Sequence, residues 1–133
     1  REWFSPKDFS KEGRDEHNKK VAYLAKLLLN HGVPSIVSLV SPYIENRESA
    51  RKIIDAGEQF AECFVKCSIE KCEERDVKGM YAKARKGEIK GFTGIDDPYE
   101  APEKADLVLD TEHDSLSDSA NKVKEFLKGR NLL

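Results

Sequence analysis

Short, nearly continuous apolar runs alternate along this chain with amphipathic helical patterns, and this alternation most constrains the fold. The apolar runs predict buried strands at 34–40, 60–65 and 106–109. The intervening patterns and caps predict helices at 15–30, 46 or 47 to 56, 68–75, 79–86 and from a Ser115 or Ser117 cap to 128. Buried strands that alternate with helices are typical of parallel sheets with right-handed crossovers. We therefore predict an α/β fold, a three-layer parallel sheet flanked by helices, in a single domain spanning 1–133.

Charge and hydropathy restrict the possible ligands. The 133 residues include 23 Lys and Arg against 25 Asp and Glu, for a formal net charge of −2. Such a chain has no surplus of positive charge with which to displace counterions from a nucleic acid. Its basic residues are concentrated at 75–90, which suits a small anionic substrate better than a polymer. Apolar runs such as 27–29 and 36–40 are far shorter than the ~20 residues of a membrane span. We expect neither nucleic acid nor a membrane as a partner.

The three cysteines are odd in number and closely spaced. Cys63 and Cys67 are predicted on one strand and Cys72 on the following helix. A zinc site would need a fourth ligand and a CxxC-type spacing, so we predict no metal site among them. Reduced thiols packed in or near a core are the simpler interpretation, and they favour a cytoplasmic location.

The segment 85–103, RKGEIKGFTGIDDPYEAPE, is too polar for a buried strand and too rich in glycine for a stable helix. It predicts a mobile loop that folds over an anionic ligand. Phe92 would supply a flat stacking surface, and the glycines would let backbone N–H groups approach the anion.

Three further stretches precede this loop: FSKEGRDE at 9–16, SLVSPY at 38–43 and CEERDVKGMYAKAR at 72–85. Together with KGFTGIDDPYE at 90–100, they resemble the motifs of the adenylylsulfate (adenosine 5′-phosphosulfate) kinases. The resemblance covers nearly the whole chain. It implies a P-loop kinase fold and transfer of the ATP γ-phosphoryl group to the 3′-hydroxyl of adenylylsulfate, which gives 3′-phosphoadenylylsulfate.

The resemblance also implies a substrate site built from the first two motifs. Phe9 would contact the adenine, and Arg14 would pair bidentately with the phosphosulfate. His17 stands where the family has an Asn that touches the substrate. Ser41 matches a serine assigned in the family as a phosphoserine intermediate. In-line transfer needs no such intermediate, so we expect Ser41 and the main chain around it, including Val40, to hydrogen-bond the substrate.

The residues alone leave structural interpretations open at these positions. Phe9 and Arg14 also fit a hydrophobic staple and a surface charge at a helix start. Ser41 fits a Ser-Pro turn at the end of a strand. The basic run 75–90 fits a solvated helix face.

By the same resemblance, residues 76–104 form a lid over the ligands. Cations in and beside this lid would neutralise phosphate charge, and Phe92 would cover the substrate adenine opposite Phe9. The cations concerned are Arg75, Lys78, Lys83, Arg85 and Lys90.

The family binds ATP with Mg²⁺ through a GxxxxGK[ST] loop, and this motif does not occur in the sequence. The family's general base, an Asp in an Asp-Gly-Asp turn, is also missing. We therefore expect the chain to be the C-terminal portion of such a kinase. A regulatory nucleotide-binding module without a P-loop, and a related kinase with another small acceptor, remain alternatives. Family members are commonly homodimers and are sometimes fused to ATP sulfurylase.

Overall fold

A computed structural model describes residues 10–55 and 57–132, with the main chain only for residue 58. The helices are α1 (Lys11–Asn30), α2 (Ile44–Ile54), α3 (Ile69–Arg75), α4 (Met80–Arg85) and α5 (Leu116–Gly129). Two strands, β1 (Cys63–Lys66) and β2 (Leu107–Asp110), and a 3₁₀ turn (Gly57–Gln59) complete the regular structure of the described residues.

These elements fall into two compact units. The first consists of the described part of Arg1–Phe60 together with Ile89–Ala101. The second consists of Ala61–Glu88 together with the described part of Pro102–Leu133. The segment predicted as a lid, 76–104, contributes to both units. The single domain and the lid stay predictions.

In the first unit, α1 packs against α2. The α1 helix begins where the Ser10 side chain accepts a hydrogen bond from the Gly13 N–H at 3.0 Å, a standard N-cap. Ala22 and Ala25 are buried on α1, and such small side chains allow close helix packing. The Lys26 ammonium donates to the Ile53 carbonyl at 2.8 Å, and this contact satisfies a backbone group in the last turn of α2.

In the second unit, β1 and β2 pair in parallel from Cys63↔Leu107 to Lys66↔Asp110. Asp106 sets the start of this ladder, because its carboxylate accepts the Glu62 N–H at 2.8 Å and also a bond from Arg130 at 2.9 Å. The α5 helix packs on β2. The predicted α/β class with a parallel sheet and helices is confirmed.

Local sequence signals placed most helix boundaries correctly. Ser68 caps α3, and its side chain accepts from the Lys71 N–H at 3.3 Å. Ser115 caps α5 in a reciprocal capping box with Asp118, so the first of the two predicted caps is the one used. No helix in the described ranges is long and apolar enough to cross a membrane.

The predicted strand at 34–40 is wrong. These residues form no strand in the described structure, and all of them are exposed, including Ile36 at 93% and Val40 at 63%. Branched apolar side chains favour extended backbone, but a strand also needs a neighbour that completes its hydrogen-bonded ladder. No described strand pairs with this segment.

The boundaries of β1 also differ from the prediction of 60–65. Phe60 belongs instead to the end of the 3₁₀ turn, where its N–H donates to the Gly57 carbonyl at 3.3 Å. Its ring lies 4.5 Å from the Arg51 guanidinium carbon. At the other end, Cys67 lies just beyond the strand, and Cys63 within it is exposed rather than packed in a core.

Candidate substrate-binding site

The Ser41-Pro42-Tyr43 corner precedes α2 and is held by a second segment of the first unit. Ser41 adopts a φ of 40°, an uncommon left-handed conformation for a residue with a side chain. Pro42 is fully buried, and its carbonyl accepts from the Glu100 N–H at 2.7 Å. Arg47 joins the two segments, since it donates to the Ser41 carbonyl at 2.7 Å and to the Glu100 carbonyl at 2.6 Å.

Glu100 also caps the N-terminus of α2, because the N-cap residue itself does not. The N-cap residue, Tyr43, makes no side-chain capping bond. Instead, a carboxylate oxygen of Glu100 accepts the Ile44 N–H at 2.7 Å. An acid at a helix N-terminus is electrostatically favourable, so this contact fixes both the helix start and the corner before it.

The glycine-rich segment has a hydrogen-bonded fold of its own between 91 and 97. The Asp96 carboxylate accepts the N–H groups of Gly91, at 2.8 Å, and Phe92, at 2.6 Å. The Gly91 bond and then the Phe92 bond lower the pKa of Asp96 below its ordinary value. The Gly94 N–H, with a φ of 88°, donates to the Asp97 carbonyl at 2.7 Å. These bonds curl the backbone around the Phe92 position.

Arg14 of α1 attaches this curled segment to the helix. Its guanidinium donates to the Thr93 hydroxyl and to the Gly91 carbonyl. It also lies 3.7 Å from the Asp97 carboxylate, and the two side chains are only 13% and 19% exposed. A planar guanidinium suits this role because it can offer several donors in one plane.

Asp97 joins Arg14 to the Ser-Pro-Tyr corner. One of its oxygens accepts the Tyr43 hydroxyl at 2.7 Å. The other is buried without a hydrogen-bond partner among the described residues. Burial of the Tyr43 ring, and then its bond to Asp97, raises the pKa of Tyr43 to about 12. The phenol therefore remains a proton donor to Asp97 at neutral pH.

The structure thus brings together several of the predicted substrate residues within the first unit. Arg14 bonds Gly91 and Thr93, which precede and follow Phe92 in the sequence, and the Asp97–Tyr43 bond joins the corner that contains Ser41 to Asp97. Phe92 and Ser41 are half-buried, whereas Lys90 and Val40 are exposed. Phe9 lies outside the described residues.

His17 follows Arg14 on α1 and has a half-buried side chain. Its Nδ1 atom is buried and has no hydrogen-bond partner among the described residues. The predicted substrate role of His17 stays a prediction.

The predicted phosphate-binding cations other than Lys90 lie in the second unit, whereas Lys90 lies in the first. Arg75 donates to the Thr111 carbonyl at 2.8 Å, and Arg85 forms an ion pair with Glu73 at 2.6 Å. Lys78 is exposed. Asp76 begins the turn into α4 and accepts the N–H groups of Met80 and Ala82 at 2.8 and 3.0 Å. Partial desolvation would raise the pKa of Asp76, but its backbone hydrogen bonds outweigh that effect and lower it.

Sequence reasoning missed the polar residues that hold the site together. They are Tyr43, Arg47, Thr93, Asp96, Asp97 and Glu100. For Asp96, Asp97 and Glu100, the available signal was the acidic run DDPYE that follows the glycines. Acids beside glycine turns often bond to local backbone N–H groups, and Asp96 does so here.

Comparison of folds gives the class of protein. The structure matches that of the Mycobacterium tuberculosis APS kinase CysC in complex with AMPPNP and APS, with a TM-score of 0.83 and 41% identity. The match covers 91% of this chain and 70% of the CysC chain. The chain therefore has the predicted P-loop kinase type of α/β fold.

Comparison of sequences gives the family. The family model described as "Adenylylsulphate kinase" matches residues 4–110. Two similar proteins are the adenylyl-sulfate kinases of Halothermothrix orenii, 48% identical, and Staphylococcus epidermidis, 44% identical, each over 90% of this chain. The chain spans 63% and 60% of the length of these relatives. It belongs to the adenylylsulphate kinase family.

Proposed function

We propose that this chain forms the adenylylsulfate-binding part of a kinase that transfers the ATP γ-phosphoryl group to the 3′-hydroxyl of adenylylsulfate. The observation that carries the proposal is the junction at which Arg14 holds the Gly91–Thr93 turn and Asp97 holds Tyr43. This junction unites three motifs that are far apart in the sequence. Family membership over 4–110 and the likeness to a kinase structure described with AMPPNP and APS support the same activity.

Each group at the junction has a distinct task in the proposed site. Phe92 is half-buried at the start of the turn, where its carbonyl accepts the Ile95 N–H, and it offers one face to the adenine of adenylylsulfate. Lys90 is exposed one residue before the turn and attracts the phosphosulfate. Arg14 exchanges its contacts with Gly91 and Thr93 for the anion, or holds the turn while the anion binds to Lys90. Such a turn closes over the substrate and excludes water that would otherwise hydrolyse ATP.

ATP would enter with Mg²⁺, which is bound mainly by phosphate oxygens in sites of this kind. The described residues contain no group of three or more His, Cys, Asp or Glu side chains arranged to hold a metal ion. They therefore do not provide a protein shell for Mg²⁺, and the tasks assigned to this chain are binding and orientation of the sulfate-bearing substrate.

The test is calorimetric titration of adenylylsulfate into the protein, combined with an assay of ATP-dependent formation of 3′-phosphoadenylylsulfate. Phe92→Leu should weaken adenylylsulfate binding by ~1–3 kcal/mol, the range for stacking of a base on an aromatic ring. Phe92→Tyr, which keeps the aromatic face, is the matched control and should bind nearly as well as the unchanged protein.

The outcomes separate the alternatives. Equal binding by Phe92→Leu and Phe92→Tyr would refute the stacking role. Binding of adenylylsulfate by the full-length gene product without any ATP binding or transfer would favour the regulatory module. Transfer to another small hydroxyl compound in preference to adenylylsulfate would favour a related kinase. The homodimer, the association with ATP sulfurylase and the cytoplasmic location stay predictions, and analytical ultracentrifugation with and without ATP sulfurylase tests the first two.

A further inference from the structure

Two of the three cysteines lie side by side in the second unit, where β1 leads into α3. Cys67 precedes the N-cap residue Ser68, and Cys72 is the fourth residue of the helix. Side chains at these two positions face each other across a helix start, as in a hydrophobic staple. Burial, and then hydrogen bonding with Cys67, raises the pKa of the Cys72 thiol, which places the two side chains within interaction distance.

The helix start that brings the thiols together is firmly built. The Ser68 hydroxyl accepts the Lys71 N–H at 3.3 Å, and the Ser68 carbonyl accepts the Cys72 N–H at 3.0 Å. The Ser68 N–H donates to the Glu112 carboxylate at 2.9 Å, which fixes the residue between the cysteines to the chain beyond β2. These bonds fix the backbone that places Cys67 and Cys72 at neighbouring positions of the helix start.

The surroundings of the two sulfur atoms are different. The Arg75 guanidinium donates to the Cys67 sulfur at 3.8 Å, while its other terminal nitrogen is held by the Thr111 carbonyl at 2.8 Å. A thiolate formed at Cys67 would thus face a fixed positive charge. Burial raises the pKa of Cys72, and its thiol also hydrogen-bonds the hydroxyl of Tyr81 in α4.

We propose that Cys67 and Cys72 are a redox modification site that forms a reversible disulfide bond. With hydrogen peroxide as the oxidant, the Cys67 thiolate attacks one peroxide oxygen, the O–O bond breaks, and hydroxide leaves. The Cys72 sulfur then attacks the resulting Cys67 sulfenic acid, the S–S bond forms, the S–O bond breaks, and water leaves with the thiol proton. Two electrons pass from the two thiols to one peroxide.

The bond would have two physical consequences. It closes only the short loop from 67 to 72, so it restricts the unfolded chain little and should be easily reduced by a dithiol. It also removes the thiol that Tyr81 bonds at the start of α4. Oxidation should therefore loosen the contact between α3 and α4.

Tryptic peptide mapping tests the pair directly. Trypsin cleaves after Lys66 and Lys71, so each of the three cysteines falls in a different peptide. After treatment of the full chain with hydrogen peroxide, the peptides of Cys67 and Cys72 should be found linked, and dithiothreitol should separate them. Cys63→Ser is the matched control, because it removes the exposed cysteine of β1 and should leave the link unchanged.

The intermediate can be trapped separately. Cys72→Ser should accumulate a sulfenic acid at Cys67 that reacts with dimedone, whereas Cys67→Ser should form no intramolecular link. The wild-type map alone decides the proposal if either variant fails to fold. Links that include Cys63, links only between molecules, or peroxide-treated protein without any link would overturn it. None of these readouts depends on kinase activity, so they are independent of the proposed function.

Discussion

Two irregular segments of the first unit show opposite relations between sequence and structure. Residues 33–40 are rich in branched apolar side chains, yet they are exposed and form no strand in the described structure. Residues 91–100 are rich in glycine and charge, yet they are joined by hydrogen bonds to α1, to the corner before α2 and to one another. The segment with the stronger propensity for regular structure is the one with fewer partners.

This comparison indicates that hydrogen-bond partners, rather than the strand propensity of the residues, determine whether a segment without helical periodicity is ordered. An extended backbone has no internal hydrogen bonds, so 33–40 depends on a neighbouring strand. A glycine turn with nearby carboxylates can satisfy its own N–H groups, as Asp96 does. Mutations that remove hydrogen-bond partners from 91–100 should therefore lower the free energy of unfolding strongly. Polar substitutions in 33–40 should change it little.

The largest expected effect is that of Arg14→Ala. The change removes the donors to Thr93 and Gly91 and leaves the poorly exposed Asp97 carboxylate without its cation. Hydrogen bonds that involve a charged group contribute ~1.5–3 kcal/mol each, so we expect the free energy of unfolding to fall by about 3 kcal/mol. Urea denaturation measures this fall.

Lys20→Ala is the control for Arg14→Ala. It removes one positive charge from the same helix, but its ion pair with Glu16 is exposed at the surface and should contribute no more than ~1 kcal/mol. Equal stability losses in the two variants would show that the junction at Arg14 does not hold the 91–100 segment. Loss of adenylylsulfate binding by Arg14→Ala with unchanged stability would instead favour the direct contact with the phosphosulfate.

Tyr43→Phe should have the next largest effect, because it deletes only the bond to Asp97. We expect a loss of ~1.5–3 kcal/mol at neutral pH, since the acceptor is a carboxylate and the tyrosine is buried. Tyr23→Phe, at an exposed position on α1, should change stability little and is the control.

The same tyrosine predicts a dependence of stability on alkaline pH. The folded pKa of Tyr43, about 12, lies above the ordinary value of 10.0, so the unfolded chain loses the proton first as pH rises. Its contribution to stability is complete below pH ~10 and declines as the pH approaches ~12. The decline should be shallower in Tyr43→Phe than in Tyr23→Phe, and parallel curves would contradict the Tyr43–Asp97 bond.

Much of the fold could be predicted from the sequence because it depends on local signals. Ser68 and Ser115 each cap a helix through a residue three positions further along the chain, so both caps are readable from a short window. Ser41 could be placed at a turn because Pro42 follows it directly, which is also a local signal. The Arg14–Asp97–Tyr43 contacts could not be predicted, because they join positions far apart in sequence. The failure at 34–40 has the same cause, since strand formation also depends on a distant partner.

Asp96→Asn should have a smaller, local effect. The Gly91 and Phe92 N–H groups donate to different oxygens of the carboxylate, so the single amide oxygen of Asn can accept only one of them, without the negative charge that strengthens the bond, while its NH₂ group faces the other donor. Faster hydrogen exchange at these two amides, measured by NMR, is the expected result. Because the Asp96 pKa is lowered, the wild-type protection should hold above the ordinary carboxyl pKa and be lost as pH falls through the lowered value.

The control for Asp96→Asn is Glu88→Gln, which neutralises another exposed acid of the chain. It should leave exchange at Gly91 and Phe92 unchanged. If Asp96→Asn also leaves both amides as protected as in the wild type, the carboxylate does not order the turn.

The smallest expected effect is that of Ile36→Ser in the extended segment. Ile36 is 93% exposed, so its replacement removes almost no buried apolar area and breaks no ladder bond in the described structure. Surface substitutions of this kind change stability by no more than ~0.5 kcal/mol. Leu109→Ala is the matched contrast, because that side chain is buried in β2 and its loss should cost ~2–5 kcal/mol. A loss from Ile36→Ser that approaches the loss from Leu109→Ala would show that 33–40 is packed in solution, and the contrast with 91–100 would then fail.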